Sequence, residues 1–212
     1  MSSRRPIFVV RDKKPLVIAF NVEFTWAGGF AKSQKQKNVV AMHTAYQRVH
    51  PEAKLLEISR ASTEEMGTKL SAFNLPITID GKTMTVECAF QGSKVFFSGG
   101  PYTDLYDKTS KEAKKDERLK NSGNLTGFEL NGVKYPITPK TAFYDWIYIS
   151  ALKQNKELSD YILQFDGFTD VEYKPERQFN CQARSCAYYV ALVRSGEIDN
   201  INSFEEFVKI CY

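Results

Sequence analysis

Glu87, Gln91 and Lys94 place an acid, an amide and an amine within one short stretch, Val86-Glu-Cys-Ala-Phe-Gln-Gly-Ser-Lys94. At helical spacing the three share one face, and at the helical rise per residue Glu87 and Lys94 start roughly 10 Å apart. That is too far for an ordinary intrahelical ion pair and suits a ligand held between acid and amine. The same residue types also cover solvated helix faces. Here Val86, Cys88, Ala89, Phe90, Val95, Phe96 and Phe97 surround them, and a helix apolar around most of its circumference is expected to be buried. A buried Glu can move a proton or stabilise an oxocarbenium-like centre. A buried Lys can hold an anion or, once deprotonated, attack as a nucleophile, a use that the neighbouring carboxylate opposes by raising the lysine pKa.

The elements that must position this row follow from local signals. Leu75 to Ile79 and Lys82 to Val86 alternate around Asp80-Gly81, a two-residue hairpin signal, and deliver the chain into the Glu87 helix; Ser98-Gly-Gly-Pro-Tyr102 is expected to break that helix. Leu16 to Phe24 and Leu55 to Ile58 read as strands. Val39, Met42, His43, Tyr46 and Val49 mark a helix ended by Pro51, with His43 a core histidine rather than a catalyst. Ser62-x-x-Glu65, Thr109-x-x-Glu112 and Ser203-x-x-Glu206 predict capped helix starts, and Asn131-Gly132 a second hairpin between Phe128 and Tyr135. Further helices are expected over about 140–154, 156–164 and 182–194. The class is α+β, helix-rich, with small antiparallel hairpins and no βαβ alternation.

A chain of 212 residues, 42% hydrophobic, can bury one sizeable core. With no Pro/Gly/Ser-rich linker it reads as a single domain over 1–212. The N-terminus has no long apolar stretch, and no run approaches the roughly 18 apolar residues of a membrane span, so a soluble, cytoplasmic protein without a membrane partner is expected. Cys88, Cys181, Cys186 and Cys211 lack C-x-x-C spacing, and His43 and His50 are the imidazoles; reduced thiols, no metal and no cofactor are expected. The glycines form neither G-x-G-x-x-G nor a Walker loop. Residues 1–60 carry 11 Lys/Arg against four acidic residues, which makes this basic third, Lys35 and Lys37 included, a candidate track for a polynucleotide backbone. Trp26, beside Phe24 and Phe30, is a candidate for base stacking or for packing. A second basic cluster at 108–120 includes Lys114 and Arg118. Gly99-Gly100-Pro101-Tyr102 reads as a loop over a site or as a plain turn, and Asp170 and Glu172, near Asp166, could hold ribose hydroxyls or orient water.

Ser71-Ala-Phe73, the strand, Asp80-Gly81-Lys82, the second strand and Val86-Glu87-Cys-Ala-Phe90-Gln91-Gly-Ser-Lys94 together resemble the S-N-F … G-K-T-W-x-[ST]-[ST]-E-H-x-[FY]-Q-A-x-K block of the NADAR superfamily of YbiA-like N-glycosidases. Gln154-Asn155-Lys-Glu-Leu158 resembles its Q-N-x-x-L helix, Phe168-Thr-Asp170-Val-Glu172 stands where it has L-V-E, and Asn180 where it has G-x-N. The resemblance covers about 70–195, with 1–60 a basic N-terminal extension packed on that core. Phe30-Ala-Lys-Ser33-Gln-Lys35-Gln-Lys37-Asn38 is most similar to the antitoxin branch found beside DarT-type DNA ADP-ribosyltransferases. Ala72, Val86 and Arg177-Gln178-Phe179 depart from the pattern. The resemblance implies an antitoxin hydrolase removing ADP-ribose from guanine in DNA, with Glu87 and Lys94 catalytic and Gln91, Trp26, Lys35, Tyr102, Arg118, Asp170, Glu172 and Asn180 contacting substrate. ADP-ribosylated DNA, ADP-ribose as product and a DarT-type toxin are the implied partners. An N-glycosidase for phosphoribosylamino-pyrimidines and a non-catalytic binder of modified nucleic acid or toxin are the alternatives.

Overall fold

The computed structural model describes residues 2–212. In chain order the elements are β1 (Ser2–Val10), β2 (Val17–Thr25), α1 (Lys32–Gln47), β3 (Leu55–Glu57), α2 (Glu65–Lys69), β4 (Pro76–Ile79), β5 (Lys82–Thr85), α3 (Val86–Gly92) and β6 (Lys94–Phe96). They continue with α4 (Ser110–Lys115), α5 (Arg118–Asn121), β7 (Leu125–Leu130), β8 (Val133–Tyr135), α6 (Ala142–Gln154), α7 (Lys156–Ile162), β9 (Gly167–Thr169), α8 (Gln182–Arg194) and α9 (Phe204–Cys211). The class is α+β, as the sequence predicts. The described chain divides into two compact units, one of residues 2–71, 157–202 and 211, the other of 72–156, 203–210 and 212.

The first unit is built on a sheet of order β2-β1-β9-β3. β1 pairs with β2 along its whole length, Ser2 opposite Thr25 to Val10 opposite Val17. β9 pairs antiparallel with β1 and parallel with β3, Leu56 standing opposite Phe168, so the sheet is mixed rather than a set of hairpins. β1, which opens in the charged N-terminal stretch, was not among the strands expected; its Ile7-Phe-Val-Val10 run was the signal. Ile7, Val22, Phe24, Val39, Met42, Tyr46, Leu55 and Val171 form a buried cluster. The Ser62 box does not form: Ser62 Oγ accepts from Glu64 N, and α2 begins at Glu65 without a side-chain cap. Within α2, Gly67 packs closely on β3: a Cβ there would lie 2.2 Å from the Glu57 carbonyl oxygen.

In the second unit, Asp80 and Gly81 take φ of 50° and 76° and close the β4-β5 hairpin; Asn131 and Gly132, at 50° and 74°, close β7-β8. The positive φ is why Asx-Gly pairs mark such turns. The Thr109/Glu112 and Ser203/Glu206 capping boxes open α4 and α9. α6, buried at Phe143, Tyr144, Ile147, Tyr148 and Leu152, forms the core with stacked Phe128 and Phe143, centroids 4.3 Å apart, and Phe90 nearby.

Candidate active site

Glu87 is fixed before its side chain makes any contact. The Thr85 hydroxyl accepts from Cys88 N to cap α3, Val86 N donates to Leu75 O, and Glu87 N donates to Ala72 O at 2.9 Å. All seven residues of α3 are buried, so the acid sits in the first turn of a helix enclosed by the rest of its unit. Gln91, one turn on, donates from Nε2 to Glu87 Oε1 at 2.9 Å, and its Oε1 accepts from Lys94 Nζ at 2.7 Å. The two ends of one amide thereby join carboxylate to ammonium.

Lys94 does not ride on the helix, as its spacing predicted. α3 stops at Gly92, where a Cβ would lie 2.3 Å from Tyr106 Cε1. Ser93 caps it by donating from Oγ to Ala89 O, and Lys94 opens β6 opposite Phe128. The 98–102 stretch therefore follows a strand instead of breaking a helix. The row survives because the long lysine side chain returns over the Phe90 ring, with Nζ 4.7 Å from its centroid. Burial pushes the Lys94 ammonium down from 10.5 to about 8; Glu87 opposes this and Lys114 adds to it. Desolvation outweighs the carboxylate that was expected to hold the lysine protonated.

Lys114 joins this group, a residue that sequence reasoning left within a solvated cluster. Its Nζ lies 3.8 Å from Glu87 Oε1 and 4.9 Å from the Phe73 ring centroid. The one sequence signal for it is the capping box that fixes where α4 starts.

Tyr102 and Arg118 form a second group in the same unit. Arg118 donates to both oxygens of Asp104, at 3.1 and 2.7 Å, and to both of Asp116, at 2.9 Å each. Its guanidinium lies 4.5 Å from the Tyr102 ring, whose hydroxyl bonds Ser122 Oγ. These bonds hold the Asp104 and Asp116 carboxyls below their usual range. The preceding turn lies against Lys94: Gly100 has φ of +85°, and a Cβ there would fall 2.2 Å from the Lys94 carbonyl oxygen.

The remaining candidates belong to the first unit. Asp170 accepts from Gln182 Nε2 and from Glu172 N, both at 3.0 Å, while Glu172 pairs with Lys35 and lies 3.8 Å from Arg60. Burial drives the Asp170 carboxyl well above its ordinary range, with Glu57 adding to the effect. Glu57, buried and raised by the same cause, is a site neighbour that sequence reasoning missed; an acid within Leu55-Leu56-Glu57-Ile58 was the signal. Its oxygens accept from Ser59 Oγ, Thr169 Oγ1 and Val171 N, and Thr169 Oγ1 bonds His43 Nε2 at 2.8 Å. Burial lowers His43 to about 4, in keeping with a neutral core histidine. Trp26 lies under the Arg5 guanidinium at 5.5 Å, and the loop after it is pinned by Asn38, which exchanges two bonds with Ala27. Asn180 Oδ1 is buried without a hydrogen-bond partner among the described residues.

Among the described residues no group of His, Cys, Asp and Glu could hold a metal ion, and no helix is long and apolar enough to cross a membrane. A family model described as DarT1-associated NADAR antitoxin matches residues 3–212. No curated protein matches the chain.

Proposed function

The chain belongs to the DarT1-associated NADAR antitoxin family, and on that premise we propose that it is a hydrolase that removes ADP-ribose from guanine bases in DNA, reversing the modification made by a DarT-type toxin. The observation that carries the reading is the hydrogen-bonded chain Glu87–Gln91–Lys94, in which a buried acid is tied through one amide to a lysine with a pKa of about 8. At neutral pH roughly one such lysine in ten is the free amine, against fewer than about one in a thousand for an ordinary side chain.

The reaction breaks the bond between ribose C1 and the exocyclic nitrogen of guanine. In the proposed course the Lys94 amine attacks C1, Glu87 takes up a proton released by the nucleophile and returns it to the departing nitrogen, and guanine leaves as the amine. Water then adds to C1, frees Lys94 and releases ADP-ribose, so that one water is consumed overall. Gln91 keeps acid and amine at a fixed distance, and the Phe90 ring keeps the lysine stem dry. The reading places the protein in the cytoplasm, where the modified DNA lies.

Incubation with an oligonucleotide carrying a single ADP-ribosylated guanine tests this. The expected result is free ADP-ribose and an unmodified oligonucleotide. An intact substrate after prolonged incubation with a folded protein that binds it would replace the hydrolase with a non-catalytic binder.

A further inference from the structure

Lys114 stands at the solvent side of the acid–amide–amine row. Its side chain is 48% exposed, against 7% for that of Glu87. At 3.8 Å its approach to Glu87 Oε1 is longer than a hydrogen bond, so the contact is Coulombic and the ammonium keeps its N–H groups for a stronger acceptor. The ring of Phe73, 4.9 Å away, backs it on one side. At the other end of the row Lys94 Nζ is bonded to Gln91 over Phe90. Two lysines therefore flank one carboxylate, and with both protonated the group carries surplus positive charge. Arg118, in the same basic cluster, is taken up by Asp104 and Asp116.

We propose that Lys114 is the anion anchor of the Glu87 site: it takes a phosphate oxygen of the substrate and leaves Glu87 as it does so. The inference rests on the hydrolase reading and names the part of the substrate that this side of the site recognises. An ammonium serves as a compact point charge for phosphate. Transfer of Lys114 from carboxylate to phosphate removes the positive charge beside Glu87 and leaves that oxygen better able to take a proton. The pyrophosphate of the ADP-ribosyl group and a phosphodiester of the DNA strand offer the same oxygen chemistry.

Lys114→Gln and Lys114→Arg separate these sources when assayed on three substrates: the ADP-ribosylated oligonucleotide, ADP-ribosylated guanosine without a DNA strand, and ribosylated guanosine without phosphate. For Lys114→Gln, KM should rise at least about ten-fold on both ADP-ribosylated substrates and stay unchanged on the phosphate-free one, with Lys114→Arg within about three-fold of wild type. A rise confined to the oligonucleotide keeps the anchor and assigns it to the strand. Equal losses on all three substrates, or no loss on any, overturn it. Calorimetric binding of ADP-ribose and of a short oligonucleotide needs no turnover, so it distinguishes failure of the anchor from failure of the hydrolase reading. Weaker binding of either ligand by Lys114→Gln supports the anchor even in an inactive protein, and unchanged binding of both overturns it.

Discussion

Lys94 Nζ donates to Gln91 Oε1 across 2.7 Å although the two residues lie in different elements, Gln91 in α3 and Lys94 at the start of β6. The backbone of Lys94 is therefore held by strand pairing, and its ammonium by an amide that is itself held by Glu87. If this lysine attacks C1, the glycosylamine it forms can open its sugar ring to an imine between Lys94 Nζ and C1, and borohydride added during turnover should reduce that imine to a stable sugar adduct on Lys94. Lys94→Arg should be inactive, because a guanidinium stays protonated. An arginine variant with a tenth of wild-type rate would make Lys94 a charge anchor instead.

The acidity of Lys94 can be measured without substrate. Acylation of its amine, followed by mass spectrometry against pH, should show a midpoint near 8. Reactivity rises with pH through that midpoint, since the free amine is the reactive form. A midpoint near 10.5 would mean that water reaches the ammonium and that Glu87 prevails over burial.

Glu87→Gln should fold normally and lose at least about 100-fold in kcat, the usual cost of removing a general acid/base. Near-normal turnover would take Glu87 out of the proton path. Its helix cap comes from Thr85, so thermal stability checks that the loss is chemical.

Salt dependence tests the basic N-terminal third. If Lys37 and its neighbours follow a DNA backbone, log K for modified DNA should fall with log salt by roughly 0.7–0.9 per phosphate contact, and Lys37→Gln should lower that slope by about one contact. Lys35 is paired with Glu172, so Lys35→Gln should have the smaller effect. Identical slopes for wild type and Lys37→Gln would remove Lys37 from the track.

His43 supplies a pH signature of folding. Its ring is harder to protonate in the fold, about 4 against 6.5, so between those values the unfolded chain binds the extra proton. Stability is lost as pH falls through that window, by at most about 1.4 kcal/mol per pH unit. Burial raises Glu57 and Asp170, which pull the opposite way as pH falls; the difference between wild type and His43→Gln isolates the histidine. Denaturation curves of the two that stay parallel from pH 6.5 to 4 would contradict this.

Features set by a few neighbouring residues were legible. Asp80-Gly81 and Asn131-Gly132 adopt the positive φ that defines their turns, and Thr109 and Ser203 open their helices with reciprocal caps. The Glu87–Gln91 bond follows from helical spacing alone. What escaped depends on partners distant in sequence. β9 is three residues long and has meaning only beside β1 and β3. The helix pattern through Lys94 yields because the Tyr106 ring occupies the space beside Gly92 and Phe128 offers strand pairing. Lys114 was invisible because nothing local says which lysine of a basic helix turns toward an acid.

The parallel pairing of Leu55–Glu57 with Gly167–Thr169 sets an order on synthesis. The first unit begins at the N-terminus, yet its sheet has no β9 until residue 169 has left the ribosome. Meanwhile 72–156 emerges as one continuous piece carrying Glu87, Gln91, Lys94 and Lys114. Closing a loop of more than a hundred residues costs less entropy when its interior is already compact than when it is a free coil. The Glu87–Gln91–Lys94 row, which lies wholly within 72–156, is thus expected to form before β9 completes the sheet of the first unit, with 203–210 joining its own unit only afterwards, and a destabilised α3 would delay closure of strands with which it shares no residue.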